Sequence, residues 1–131
     1  MCGIIGITSS KPVSSAIINS LRKLEYRGYD SAGLATLSGG IINEVKSEGR
    51  VENLEKNIAI KNMQGSVGIG HVRWATHGIP NTVNAHPHSS NNVSIVHNGI
   101  IENSTILKKF LISKGHKFKS QTDTEVIVHL I

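Results

Sequence analysis

The sequence has 131 residues, of which 38% are hydrophobic and 18% are charged. This balance is typical of one globular domain and excludes a disordered chain. No apolar stretch reaches the ~18 residues that a membrane helix needs, and the N-terminus lacks the basic flank of a secretory signal. We therefore expect a cytoplasmic protein that does not contact a membrane.

The net charge of +5 raises the alternative of a nucleic-acid-binding module. The basic residues are dispersed among acidic ones, and the densest group lies between Lys108 and Lys119. Its two phenylalanines occupy positions that also suit a hydrophobic core. This pattern favours a solvated face over a nucleic-acid partner, and a steep salt dependence of DNA binding would indicate the opposite.

Apolar patterning in the first half predicts alternating strands and helices. In chain order we expect a strand over residues 3–8 and a helix that begins near Pro12 and ends before Gly28. Two serines before Pro12 are candidate N-caps. Strands over 32–37 and 41–45 follow, joined by a Ser-Gly-Gly hairpin turn.

The second half continues this α+β pattern. It predicts a short helix over 51–58, strands over 67–72 and 93–97, and a helix over 106–115, with a turn-rich loop over 74–92 between the strands.

A last helix is predicted near residue 122, because Thr122 and Glu125 have the spacing of a capping box. Its apolar face has no C-terminal cap before the sequence stops at Ile131. We therefore expect residues 1–131 to be the N-terminal part of a domain in a longer polypeptide, and not to act as an autonomous catalyst.

Cys2 is the only cysteine, which excludes an intrachain disulfide. Removal of Met1 would leave Cys2 with a free α-amine, and the ordinary pKa of such an amine, about 7.7–8.0, suits a general base. One residue would then supply both a thiol nucleophile and its base. A buried structural cysteine and a redox or lipidated cysteine are the alternatives.

His97-Asn98-Gly99 follows a predicted strand. The Asn98 side-chain amide and the Gly99 backbone N–H could together hold a tetrahedral oxyanion. In isolation, Asn-Gly is more typical of a simple hairpin turn.

Arg73 and Asp123 offer the opposite charges that a pocket for a free amino acid requires, one for its carboxylate and one for its ammonium. Asp123 could instead be a helix cap.

Taken together, these motifs resemble one known family. The matching stretches are Cys2-Gly-Ile-Ile-Gly-Ile7, Leu24-Glu-Tyr-Arg-Gly-Tyr-Asp-Ser-Ala-Gly33, Gly70-His-Val-Arg-Trp-Ala-Thr-His-Gly78, Asn84-Ala-His-Pro-His88, His97-Asn-Gly-Ile-Ile-Glu-Asn103 and Thr122-Asp-Thr-Glu125. They are similar to the class II glutamine amidotransferase domain of isomerising glutamine–fructose-6-phosphate aminotransferases.

The resemblance implies an N-terminal-nucleophile hydrolase fold, a four-layer αββα sandwich, and hydrolysis of L-glutamine without cofactor or metal. It implies that Cys2 is the nucleophile and that Asn98 and Gly99 hold the oxyanion. Arg73 would bind the α-carboxylate of glutamine and Asp123 its α-ammonium. The remaining implied pocket residues are Trp74, Thr76 and His77.

The resemblance also implies a sugar isomerase domain in the same polypeptide, which uses the ammonia to convert fructose 6-phosphate to glucosamine 6-phosphate. The complete enzyme is expected to be a homo-oligomer. Arg27 and Asp30 lie in a matching motif, and for them a structural role is favoured over a catalytic one. A metal site at His86-Pro87-His88 is the remaining alternative, although no Cys or carboxylate lies beside it at ligand spacing.

Overall fold

The computed structural model describes residues 1–75 and 78–131, apart from the side chains of residues 58–61. Strands and helices are interspersed along this part of the chain, as predicted. The elements are β1 (Gly3–Thr8), α1 (Ser14–Leu24), a 3-10 turn (Glu25–Arg27), β2 (Ser31–Ser38), β3 (Ile41–Glu48), α2 (Val51–Lys61), β4 (Val67–Arg73), β5 (His88–Ser90), β6 (Val93–Ile95), α3 (Ser104–Ser113) and α4 (Glu125–Leu130).

The main sheet has four antiparallel strands in the order β1-β4-β2-β3. Gly3 of β1 lies opposite Val72 of β4, and Ser31 of β2 lies opposite Arg73. The start of β1, the end of β4 and the start of β2 therefore meet at one end of the sheet. The residues that precede or follow these strands are brought together there.

Helices α1 and α2 pack on one face of the main sheet. Gly68 and Gly70 of β4 let α1 approach closely, because a Cβ at either position would lie within 2.7 Å of the Ile17 side chain. Ile17, Leu21 and Leu34 are fully buried in this layer. The helix predicted between Pro12 and Gly28 is confirmed, and its buried residues lie against the sheet.

The opposite face of the main sheet packs against the β5–β6 hairpin region. Gly33 lies beneath the His86 backbone, where an added Cβ would fall 2.0 Å from the His86 carbonyl oxygen. Helix α4 contacts β5 and β6, and α3 contacts α4. The order is helices, sheet, sheet, helices, which agrees with the predicted four-layer arrangement.

Most predicted strands are confirmed, with β3 three residues longer than expected and β6 two residues shorter. The hairpin turn uses Gly39 and Gly40, at φ values of 57° and 79° that favour glycine. Strand β5 was expected to be loop, because three residues are too few for an alternation to be visible. No helix in the described residues is long and apolar enough to cross a membrane.

Both predicted N-caps are wrong. Val13 precedes α1 without a side-chain cap, while the Ser9 hydroxyl accepts a hydrogen bond from the Lys11 N–H at 3.2 Å. Thr124, not Thr122, precedes α4. Glu125 instead accepts hydrogen bonds from the preceding loop, at 2.7 Å from the Lys119 N–H and 2.6 Å from the Ser120 N–H. Tertiary contacts therefore override the local capping pattern.

Candidate active site

Cys2 lies immediately before β1, and the β1–β4 register places it beside the residues that follow β4. The Trp74 N–H donates a hydrogen bond to the Cys2 Sγ at 3.2 Å, and the thiol donates to the Trp74 carbonyl at 3.4 Å. Cys2 is half-buried. Both backbone polar groups of Trp74 thus hydrogen-bond the thiol, which holds it in a defined position while leaving it accessible.

Asp30 holds the two residues that flank Trp74. Its backbone N–H donates to the Arg73 carbonyl at 2.8 Å, and its carboxylate accepts the Ala75 N–H. The same carboxylate accepts the Ser31 hydroxyl at 2.8 Å and lies 3.8 Å from the Arg73 guanidinium. Asp30 thereby organises the backbone around the thiol, which agrees with the structural role favoured for it.

The motif that contains Asp30 makes further structural contacts. Glu25 accepts the Val51 N–H at 2.7 Å and so stabilises the start of α2. Gly28 has a φ of 114°, and a Cβ there would lie 2.7 Å from the Trp74 ring. The Arg27 carbonyl accepts a hydrogen bond from the α-ammonium group of Met1 at 2.7 Å.

Asn98 and Gly99 lie between β6 and α3. The Asn98 side-chain amide donates to the Cys2 carbonyl at 3.3 Å, so it is adjacent to the Cys2 backbone. The chain continues from this bend into α3 and forms no second strand, which excludes the hairpin alternative. Glycine is required at 99 for space, because a Cβ would lie 2.8 Å from the His97 Nε2. Its φ is not positive, so no left-handed backbone conformation requires glycine there.

Arg73 and Asp123 are both almost completely buried. Arg73 donates to the Gly78 carbonyl at 3.2 Å and to the Ile79 carbonyl at 3.3 Å. The Asp123 carboxylate accepts the Ile101 N–H at 2.6 Å. Each charged group is therefore anchored to backbone, and such anchoring preorganises a site.

One cavity of about 290 Å³ joins these residues, a size near the lower limit for small-molecule sites. Six of the eight predicted site residues line it: Cys2, Arg73, Trp74, Asn98, Gly99 and Asp123. The other two, Thr76 and His77, lie outside the described residues.

The cavity has further lining residues that were not among the eight predicted site residues. They are Met1, His86, His97, Ile100, Thr122 and Thr124. Most of them neighbour a predicted site residue in the Asn98 or Asp123 motif. That adjacency is the signal by which they could have been found.

Three histidines form a buried cluster behind the cavity. The rings of His71 and His86 stack with centroids 4.1 Å apart, and His88 lies edge-on to His86 at 4.7 Å. Burial lowers the pKa of His71 to about 4 and that of His88 to about 3, and it lowers the pKa of His86 further still. All three are therefore neutral near pH 7.

The metal alternative finds no support in this cluster. Nε2 of His71 bonds the His97 carbonyl, Nδ1 of His86 accepts the His97 N–H, and Nε2 of His88 bonds the Thr122 hydroxyl at 2.8 Å. Within residues 1–75 and 78–131, no three His, Cys, Asp or Glu side chains are grouped so that they could hold a metal ion.

Asn84 links the loop after β4 to the segment before α4. Its side chain donates to the Ile79 carbonyl at 2.9 Å and accepts the Gln121 N–H at 2.8 Å. Gly78 passes so close that a Cβ there would lie 2.7 Å from the Asn84 amide. The Asn84 motif thus supports the Arg73 and Asp123 sides of the cavity together.

Solved structures with the same architecture identify the class. The chain is similar to glutamine phosphoribosylpyrophosphate amidotransferase from B. subtilis, with a TM-score of 0.82 and 30% identity over 99% of this chain and 29% of that one. A structure described as the allosteric regulatory enzyme of purine biosynthesis gives a TM-score of 0.83 at the same identity and coverage. The fold is that of the N-terminal-nucleophile hydrolase amidotransferases, as predicted.

The sequence comparisons identify the family. Residues 56–131 match the glutamine amidotransferase domain, and the chain belongs to this family. It is also 53% identical to a glutamine–fructose-6-phosphate aminotransferase (isomerizing) of Mesorhizobium japonicum over 131 residues, and 56% identical to that of Clostridium acetobutylicum over 133 residues. Each alignment covers the whole chain but only 22% of the relative, so the chain spans about a fifth of the length of these relatives.

Proposed function

We propose that this chain supplies the site at which a longer polypeptide hydrolyses L-glutamine to glutamate and ammonia, with Cys2 as the nucleophile. The observation that supports the proposal is a cavity that four groups line together. They are the Cys2 thiol, the Asn98 side-chain amide and the buried, oppositely charged side chains of Arg73 and Asp123. Membership of the glutamine amidotransferase family supports the same substrate.

Removal of Met1 would leave the α-amine on Cys2, next to its own thiol. The amine takes the thiol proton, and the sulfur attacks the side-chain amide carbon of glutamine. The α-ammonium returns the proton to the leaving nitrogen, and collapse of the tetrahedral intermediate breaks the C–N bond, so that ammonia departs and the α-amine is free again. Water activated by the same amine then hydrolyses the thioester, which releases glutamate and restores the thiol.

Asn98 and Gly99 are the proposed oxyanion donors. The Asn98 amide already lies 3.3 Å from the Cys2 carbonyl, which supports its placement near the reacting carbon. Preorganised donors of this kind stabilise the charge that develops on the amide oxygen as the sulfur attacks.

Arg73 and Asp123 are proposed to bind the α-carboxylate and the α-ammonium group of glutamine. Their burial makes both electrostatic interactions stronger than they would be in water. Trp74, which is about half exposed, is proposed to cover the cavity mouth and the ammonia exit. Thr76 and His77 are proposed to line the pocket.

The relatives suggest how the ammonia is used. We infer that a longer polypeptide containing this chain delivers it to a sugar isomerase domain, which converts fructose 6-phosphate to glucosamine 6-phosphate. A cytoplasmic, homo-oligomeric enzyme is part of the same proposal. The support is the identity of 50–56% to relatives named for this activity.

Replacement of the nucleophile tests the proposal. In the full-length product of the native gene, Cys2→Ala should abolish ammonia release from glutamine, because the chain contains no second thiol in residues 1–131 to form the thioester. Product formation from fructose 6-phosphate and free ammonium should persist in this variant. Ammonia release from glutamine at the parent rate would refute the proposed function.

A further inference from the structure

His97 connects the oxyanion-donor bend to three other parts of the molecule. Its N–H donates to Nδ1 of His86 at 3.4 Å, and its carbonyl accepts from Nε2 of His71 at 3.1 Å. Its own ring Nδ1 lies 3.1 Å from the Thr124 hydroxyl. The residue directly before Asn98 is therefore held at its backbone and at its side chain.

The two backbone contacts define the protonation of their partners. The His97 carbonyl can only accept, so His71 must carry its proton on Nε2. The His97 N–H can only donate, so Nδ1 of His86 must be unprotonated. These bonds hold the His97 backbone against β4 and the loop before β5. They do not connect it to the segment that carries Asp123.

The connection to Asp123 is made by two other bonds. Thr124, which is 2% exposed, bonds the His97 ring, and the Asp123 carboxylate accepts the Ile101 N–H at 2.6 Å. These two hydrogen bonds connect both ends of the bend that contains Asn98 and Gly99 to residues 123–124. Both segments line the same cavity.

We propose that Thr124 is a positioning residue for the glutaminase reaction. Its hydroxyl holds the His97 ring, and through it the Asn98–Gly99 donors, at a fixed distance from the carboxylate that binds the substrate's ammonium group. This inference rests on the proposed function. Because catalysis by oriented donors is sensitive to displacements below 1 Å, loss of this bond should affect turnover.

Binding should be affected less than turnover. Asp123 keeps its bond to Ile101, and its carbonyl still accepts the Val126 N–H at 3.3 Å, when the Thr124 hydroxyl is removed. Thr124→Val in the full-length enzyme should therefore lower kcat for glutamine roughly tenfold, a fraction of the loss expected for deleting a donor. KM for glutamine should change less than about threefold.

Thr36→Val is the matched control. Thr36 is a buried threonine in β2, 1% exposed, whose hydroxyl has no hydrogen-bond partner among the described residues. The same substitution there removes a buried hydroxyl without breaking a bond, so kcat should stay at the parent value. Thr124→Ser keeps the hydroxyl and should also stay near parent turnover.

Three results would overturn the inference while Cys2→Ala stays inactive: parent kcat in Thr124→Val, an equal loss in Thr36→Val, or a loss that Thr124→Ser shares in full. Should Thr124→Val not fold, Thr124→Ala and Thr124→Ser are compared instead. Both lack the methyl group and differ in the hydroxyl, so equal turnover in that pair would likewise overturn it. Parent activity in Cys2→Ala would instead refute the proposed function itself.

Discussion

The two walls of the cavity are built differently. The Cys2 wall is organised by backbone hydrogen bonds at the end of the main sheet, and its thiol and Trp74 ring are accessible. The wall behind Asn98 is organised by hydrogen bonds with three buried side chains: His71 and His86, which are neutral near pH 7, and Thr124. The first wall depends on strand register, whereas the second depends on the protonation state of its groups. Substitutions and pH should therefore affect the two walls differently.

The largest expected effect after replacement of Cys2 is at Asn98. Asn98→Ala should lower kcat for glutamine by roughly 10²–10³-fold with a smaller change in KM, because the donor acts on the transition state. Steady-state ammonia release measures both. Asn92→Ala, at an exposed asparagine of the β5–β6 turn, is the matched control and should leave turnover unchanged. A large rise in KM at parent kcat would recast Asn98 as a binding residue.

Arg73 and Asp123 should show the opposite pattern. Arg73→Ala and Asp123→Ala should raise KM for glutamine by about 10–100-fold, the usual worth of a charged hydrogen bond, with a smaller effect on kcat. Asp123→Asn separates charge from structure, because an amide oxygen can still accept the Ile101 N–H. It should bind glutamine as weakly as Asp123→Ala. Parent affinity in any of these three variants would remove that residue from the substrate pocket.

Acid should destabilise the buried cluster formed by His71, His86 and His88. The pKa of His71 is lowered to about 4 and that of His88 to about 3 by burial, against about 6.5 in the unfolded chain. Below pH 6.5 the unfolded state therefore binds protons that the folded state does not. The free energy of unfolding should fall as pH decreases toward 4, by up to about 1.4 kcal/mol per pH unit for each histidine.

Glu125 should add to this loss at lower pH. Its burial works to raise its pKa, but hydrogen bonds from the Ser120 hydroxyl and the backbone of Lys119 and Ser120 outweigh burial and lower the pKa. The stability that it contributes is present above its unfolded pKa and is lost as pH falls through the folded value.

Urea unfolding of the full-length enzyme between pH 7 and pH 4.5 measures the acid effect. His88→Gln should show a shallower loss, because one titrating group is gone. A free energy of unfolding that does not change with pH over this range would contradict the neutral, buried state of these histidines.

The sequence predicted the elements that have their own repeating pattern. The alternation in β1 and the helical spacing of Val13, Ile17 and Leu21 reflect burial on one face, so both elements could be predicted directly. Motif resemblance supplied the site residues, and the structure brings six of them to one cavity. Their roles stay predictions.

The features that the sequence did not predict depend on contacts between distant segments. Thr122 and Glu125 match a capping box, but their side chains bond His88 and the loop at Lys119 instead. The stacking of His71 on His86 depends on how closely the loop before β5 packs against Gly33. No local pattern contains that information, because hydrogen bonds over such separations are decided by tertiary packing.

The proposed chemistry depends above all on Cys2, which must have a free α-amine and form a thioester with glutamine. Both features are visible in an intact-mass spectrum of the full-length enzyme that is acid-quenched during glutamine turnover. We expect a chain that lacks Met1 and a transient species heavier by one γ-glutamyl group, with that group mapped to the N-terminal peptide and absent in Cys2→Ala. A turning-over enzyme that retains Met1, or that carries the glutamyl group on another residue, would contradict the assignment of Cys2 as the nucleophile.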